Sequence, residues 1–176
     1  MELAVKSPSS RGNQVETASR PLLSGIITGQ IAGLIMAVVV MMVFTVFLGK
    51  SPLFPVQVIG SVLFGEPALQ GFHLGALIAG LLLHQLGPSL LWGAIYGLLA
   101  KKFSPRTSSS ALYLGLALGV ASMVGPYVLI PAVMNTLQGV DFWNREVPMF
   151  WDWAAHLVFG ASFALYPSVE RKLSQL

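Results

Sequence analysis

The apolar positions of this chain gather into four long runs, at about 21–48, 72–100, 111–133 and 149–166, with polar segments between them. A helix of roughly 17–25 apolar residues crosses a bilayer, so each run predicts a transmembrane helix. Residues 1–20 are rich in Ser, Arg, Asn and Glu without an apolar period, which predicts a disordered tail. The run that starts at Pro21 is too long for the apolar core of a signal peptide, which is about 7–15 residues. Gly25, Gly29 and Gly33 give it a ladder of small residues, suited to close helix contact.

The segments between the runs differ in kind. In residues 49–71, Pro52, Pro55, Gly60, Gly65 and Pro67 forbid a full span. The apolar piece PVQVIGSVLF (55–64) fits a short interfacial or re-entrant helix, or a loop packed over the bundle. The run 72–100 has a polar centre at His84, Gln85 and Ser89, with Gly87-Pro88 inside it. Proline removes one backbone hydrogen bond and crowds the preceding turn, so a kink is expected there. The run 111–133 carries Gly115, Gly119, Ser122 and a second Gly-Pro pair, Gly125-Pro126. Residues 134–148 read as a polar covering segment, and the last run opens on Phe150, Trp151 and Trp153, residues suited to a membrane interface.

Composition places the chain in the membrane class: mean hydropathy is +0.73 and only 10% of residues are charged, against about a quarter in soluble domains. The fold class expected is all-α, an integral membrane four-helix bundle over 21–173. Cysteine is absent, which removes disulfides, thiolate metal sites and cysteine nucleophiles. Charge sets orientation. Lys6, Arg11, Arg20, Lys101, Lys102, Arg106, Arg171 and Lys172, 8 of the 10 basic residues, fall on one side if both termini share it. The positive-inside rule then makes both termini cytoplasmic in an inner membrane. No basic stripe interleaved with aromatics supports nucleic-acid binding.

A faint internal match relates LLWGAIYGL (90–98) to LVFGASFAL (157–165), with Gly93 over Gly160, and GQIAG (29–33) to GLALG (115–119). It predicts a parallel two-plus-two repeat about an axis along the membrane normal.

Two places carry candidate chemistry. Asp152 and His156 are four apart and share a helix face. They fit a proton-handling pair, a cation ligand or a partner contact; equally they fit a helix-start cap beside a histidine bonded to a neighbouring helix. His84 lies deeper, where ionisable groups usually face the bundle interior. Gln85, Gln30, Ser89 and Ser122 are its expected polar company, while His73 reads as interfacial. His84 stands 17 residues before Lys101 and His156 stands 14 before Glu170, a depth difference of about 4–5 Å. A haem b held by both histidines is therefore one cofactor expectation. HExxH, P-loop and GxSxG motifs are absent.

The four runs, the GxxxG-like start, the proline-rich segment after the first run and the elements WGAIYG and FGASFA resemble small uncharacterised bacterial inner-membrane proteins. That resemblance implies a four-helix membrane protein and supplies no catalytic residue. The function expected is non-enzymatic: an accessory subunit of other membrane proteins, or a self-associating one, with the lipid bilayer as its medium. The alternatives are a small transporter or channel with a site at the Gly-Pro breaks, and a haem- or quinone-associated redox subunit.

Overall fold

The computed structural model describes residues 20–176, and the expected disordered tail lies outside them apart from Arg20. The described residues are helical, with no strand among them. Three helices are long and apolar enough to cross a membrane: α1 (Pro21–Val46), α3 (Leu74–Phe103) and α4 (Ser108–Gln138). Only 28%, 17% and 28% of their apolar windows are buried inside the protein. Apolar faces of that extent are stable against lipid tails rather than water.

Between α1 and α3 lies α2 (Phe54–Phe64), the short apolar helix expected from the sequence. It packs on the first half of α3, where Gly60 faces the Ala76 carbonyl and Gly80 faces the Val56 carbonyl. Gln57, buried within α2, fastens the return loop: its Nε2 donates to Ala68 O at 2.7 Å and to Gly71 O at 2.6 Å. His73 caps α3, with Nδ1 accepting from Ala76 N at 3.0 Å.

Where α3 is expected to kink, it holds a widened turn. Gln85–Ser89 adopts π-helical winding, and the Leu90 N–H reaches back five residues to Gln85 O. One extra residue in the turn moves the Pro88 ring away from the carbonyl it would strike in an α-helix. The second Gly-Pro pair does the same in α4: Gly125–Leu129 is π-wound and Ile130 N–H bonds Gly125 O. Neither helix is broken.

The third span is longer than 111–133. A reciprocal cap between Thr107 and Ser110 starts α4 at Ser108, and Gly139, at φ 71°, ends it after Gln138. The fourth expected span, 149–166, is not one helix. α6 (Met149–Ser162) has 14 residues, fewer than a bilayer crossing needs, and a 3₁₀ turn at Phe163–Leu165 joins it to α7 (Tyr166–Leu173). The cause is Pro167. It has no N–H to give Phe163 O, and Tyr166 N–H takes that carbonyl in a tighter turn. The segment 134–148, expected as a polar cover, contains the end of α4 and α5 (Phe142–Glu146).

Glycine contacts fix two helix crossings. Gly93 of α3 sits against the Gly25 carbonyl and the Gly29 Cα; Gly160 of α6 sits against the Gly115 carbonyl and the Gly119 Cα. A Cβ at any of these positions would meet backbone within 3 Å or slightly more. Tyr96, Phe159, Phe163 and Tyr166 fill the core between the two crossings. A second cluster, around Phe44, Val58, Met134 and Trp143, packs under α2 and α5.

Candidate functional site

α3 and α4 meet near their connecting turn, where Tyr96 OH donates to Ala111 O at 3.1 Å. They diverge from there, and α2 wedges between their far ends, tied to α4 by Gln138 Nε2 donating to Val62 O at 2.8 Å. The divergence leaves a cavity of about 400 Å³ between the two π turns. Gly87, Pro88, Gly125 and Pro126 form its facing walls, Met36 and Phe159 lie on the α1 and α6 side, and Ile59 and Val62 of α2 cover it. Leu83, Leu91, Leu129 and Val133 line the cavity and are also exposed on the protein surface. They form a mouth that opens sideways between α3 and α4.

Four of the seven residues singled out from the sequence line this one cavity: His84, Ser89, Ser122 and His156. The other three stand directly behind. Gln30 Nε2 of α1 donates to Gln85 O at 2.8 Å, filling a carbonyl of the π turn. Gln85 Nε2 donates in return to Gln30 O and to Gln30 Oε1, both at 3.3 Å. That leaves Gln85 Oε1 to accept from Ser89 Oγ at 3.2 Å and from His84 Nδ1 at 3.0 Å. Gly33 lies over this knot, and a side chain there would strike Ser89 and Gln85.

Asp152 stands behind His156. The sequence admitted an interfacial Asp152 capping its helix; the structure instead buries it, 3% exposed and without a capping bond. Its Oδ2 accepts from Trp143 Nε1 at 3.2 Å. His156 Nδ1 is 3.2 Å from Asp152 Oδ1, but its better-directed hydrogen bond goes to Asp152 O at 2.9 Å, so Oδ1 keeps an unfilled acceptor position. Trp143 bridges the outer cover and the cavity wall. Sequence reasoning missed it because it falls in a stretch dominated by polar residues. Its one available signal was an aromatic pair, Phe142-Trp143, inside that stretch.

Outside the apolar zone, Arg145 joins the two covering segments. Its guanidinium donates to both Glu66 oxygens, at 2.8 and 3.0 Å, and its Nε donates to Glu146 Oε1 at 2.8 Å. The Arg145 hydrogen bond holds the Glu66 carboxyl below its ordinary range, although Glu66 is exposed.

The haem expectation can be set against the lining. Two imidazoles suit axial ligation. No Lys or Arg lines the cavity to meet the two propionates of haem b, and apart from Ser89 and Ser122 the rest of the lining is mostly apolar. The residues present do not fit that group. Nor do three or more His, Asp or Glu gather as a metal site among the described residues.

Fold and site together define an all-helical protein with three helices of membrane-spanning length and a side-opening apolar cavity between two of them. No family model, curated protein or solved structure matches the chain.

Proposed function

We propose that this chain is a four-span integral membrane protein, non-enzymatic, that holds a small apolar ligand within the bilayer. The observation that carries this reading is the cavity of about 400 Å³, walled by apolar side chains with His84 and His156 converging on it. Ligand sites have this character: concave, mostly apolar, a few hundred Å³, with a small number of placed polar groups. The two π turns that shape it add weight, because such turns concentrate at functional sites.

α6, the 3₁₀ turn and α7 together make the fourth crossing. The Gly93 and Gly160 contacts favour the two-plus-two repeat but set Gly29 opposite Gly119, one turn away from the match with Gly115. In that frame the pair Gln85/Ser89 corresponds to Asp152/His156. The basic residues at the α3–α4 turn and in α7 favour cytoplasmic termini in an inner membrane. The expectation of an accessory or self-associating role rests on the lack of catalytic groups together with abundant Gly, Ala and Ser for close helix contact, the glycine ladders among them. Those glycines pack on each other within the chain, so a bound ligand is the stronger reading. Lipid is the partner that covers the remaining apolar faces.

Gly87 and Gly125 line the cavity, and a Cβ at either would meet open space. Gly87→Leu and Gly125→Leu therefore fill the cavity, with the following proline as the neighbour that a new Cβ crowds. In nanodiscs, a brominated alkylbenzene should quench wild-type tryptophan fluorescence with a saturable component, through Trp92 and Trp143. Both variants should lose that component while still unfolding cooperatively, at a lowered melting temperature. Equal quenching in all three proteins would remove the reading.

A further inference from the structure

We propose that the cavity takes a lipid-soluble hydroquinone, whose two hydroxyl groups donate hydrogen bonds to His84 Nε2 and His156 Nε2. This rests on the cavity being a ligand site and adds the chemistry of the ligand's head.

The histidine and serine hydrogen-bond donors around the cavity are already engaged within the protein. Gln30 O is a backbone carbonyl and can only accept, so the Gln85 group facing it is the NH₂. The other end of that amide is then an acceptor, and His84 Nδ1 must carry the proton that reaches it. Asp152 O is likewise a carbonyl, and His156 Nδ1 must carry the proton that reaches it. In its neutral form each imidazole is thus fixed in the same tautomer, with a lone pair at Nε2. The hydroxyls are committed too: Ser89 Oγ donates to Gln85 Oε1, and Ser122 Oγ donates to Gly119 O at 2.6 Å. The Trp143 N–H is held by Asp152. Two histidines, two serines and a tryptophan face or flank the cavity having spent their donors inside the protein. What the histidines and serines offer a ligand is acceptors.

A ligand for such a site must bring its own donors on an otherwise apolar body. Two imidazole acceptors, on two different helices, call for two donors set apart on one ligand. A hydroquinone ring places hydroxyls at opposite ends of a flat apolar plate. Proline, Trp92 and Phe159 surfaces suit its faces, and the mouth between Leu91 and Leu129 gives a tail a path into the lipid. The oxidised quinone carries carbonyls only. It would set its oxygens against both Nε2 lone pairs, leaving buried acceptors unpaired.

The test uses the whole protein in nanodiscs under anaerobic conditions with no added reductant or oxidant, so that each compound keeps its redox state, with empty nanodiscs as the partition blank. Three compounds with the same decyl tail are compared by retained amount: a 1,4-hydroquinone, its 1,4-quinone and its dimethyl ether. The expected result is saturable retention of the hydroquinone. The other two should bind at least roughly tenfold more weakly, as two unmade hydrogen bonds require. His84→Leu and His156→Leu should each reduce hydroquinone retention about tenfold. Equal retention of all three compounds by the wild type overturns the inference, and that comparison stands even if a histidine variant fails to fold. If the brominated probe binds but hydroquinone does not, the hydroquinone assignment alone falls. If neither binds, the ligand-site reading falls with it.

Discussion

Tyr96 of α3 and Phe163 at the end of α6 stack with ring centroids 4.2 Å apart and planes 16° from parallel. Each stands three residues after the glycine that makes its helix crossing, Gly93 or Gly160, so the two crossings are coupled through this aromatic pair. Tyr96 is fully buried and its hydroxyl reaches Ala111 O. Tyr96→Phe should cost about 1 kcal/mol, the net worth of one hydrogen bond. Tyr96→Ala should cost about 3–5 kcal/mol, since it also removes the ring. Thermal unfolding in detergent separates the two.

Gly93 and Gly160 should tolerate no side chain. Gly93→Val and Gly160→Val force backbone apart at contacts with Gly25, Gly29, Gly115 and Gly119. Each should destabilise by about 3 kcal/mol, the upper range for over-packing. Gly71→Val, where a Cβ meets nothing within 4 Å, is the matched control and should melt like the wild type.

The ion pair over the outer cover makes a pH prediction. Arg145 lowers the folded pKa of Glu66 from 4.5. A lowered folded pKa gives stability that is present above the ordinary value and lost as pH falls through the lowered one. Wild type should therefore melt above Glu66→Gln at neutral pH and converge with it in acid. Because the pair is exposed, added salt should shrink the difference. A gap that widens below pH 4.5 would contradict the pairing.

Asp152 should act through its two neighbours. Asp152→Ala strands the buried Trp143 N–H, at a cost of about 1–3 kcal/mol. Asp152→Asn keeps an amide oxygen for Trp143 and should lose less than half of that. Differential scanning of both variants gives the comparison.

Much of this was legible in the chain, and what escaped follows a pattern. His84, Gln85 and Ser89 were readable because polar groups inside an apolar run must find partners. Their convergence with Ser122 and His156 was not, since those residues lie on helices distant in sequence. The Gly-Pro pairs signalled a local disturbance of the helix, but not that each would take the form of a π turn. Pro167 lies just past a run that read as one span, and its effect falls on the carbonyl of Phe163, four residues earlier. Trp143 shows the same limit from the other side: a buried aromatic hidden in polar company.

Orientation can be read directly, because the chain has no cysteine of its own. Ser109→Cys, in the first turn of α4, should react with a membrane-impermeant maleimide only after cells are opened. Val140→Cys, between α4 and α5, should react in intact cells. Both positions are exposed.

The mouth between α3 and α4 has a consequence for how occupancy is set. A molecule that enters there arrives by lateral diffusion in two dimensions and never crosses bulk water as a free solute. Its effective concentration is a mole fraction among lipids, so the same site fills or empties as membrane area grows at constant ligand. Acyl chains compete for the opening at every moment. A binding constant measured in molar units would then describe the membrane preparation as much as the protein, and only a constant expressed per lipid would transfer from one bilayer to another.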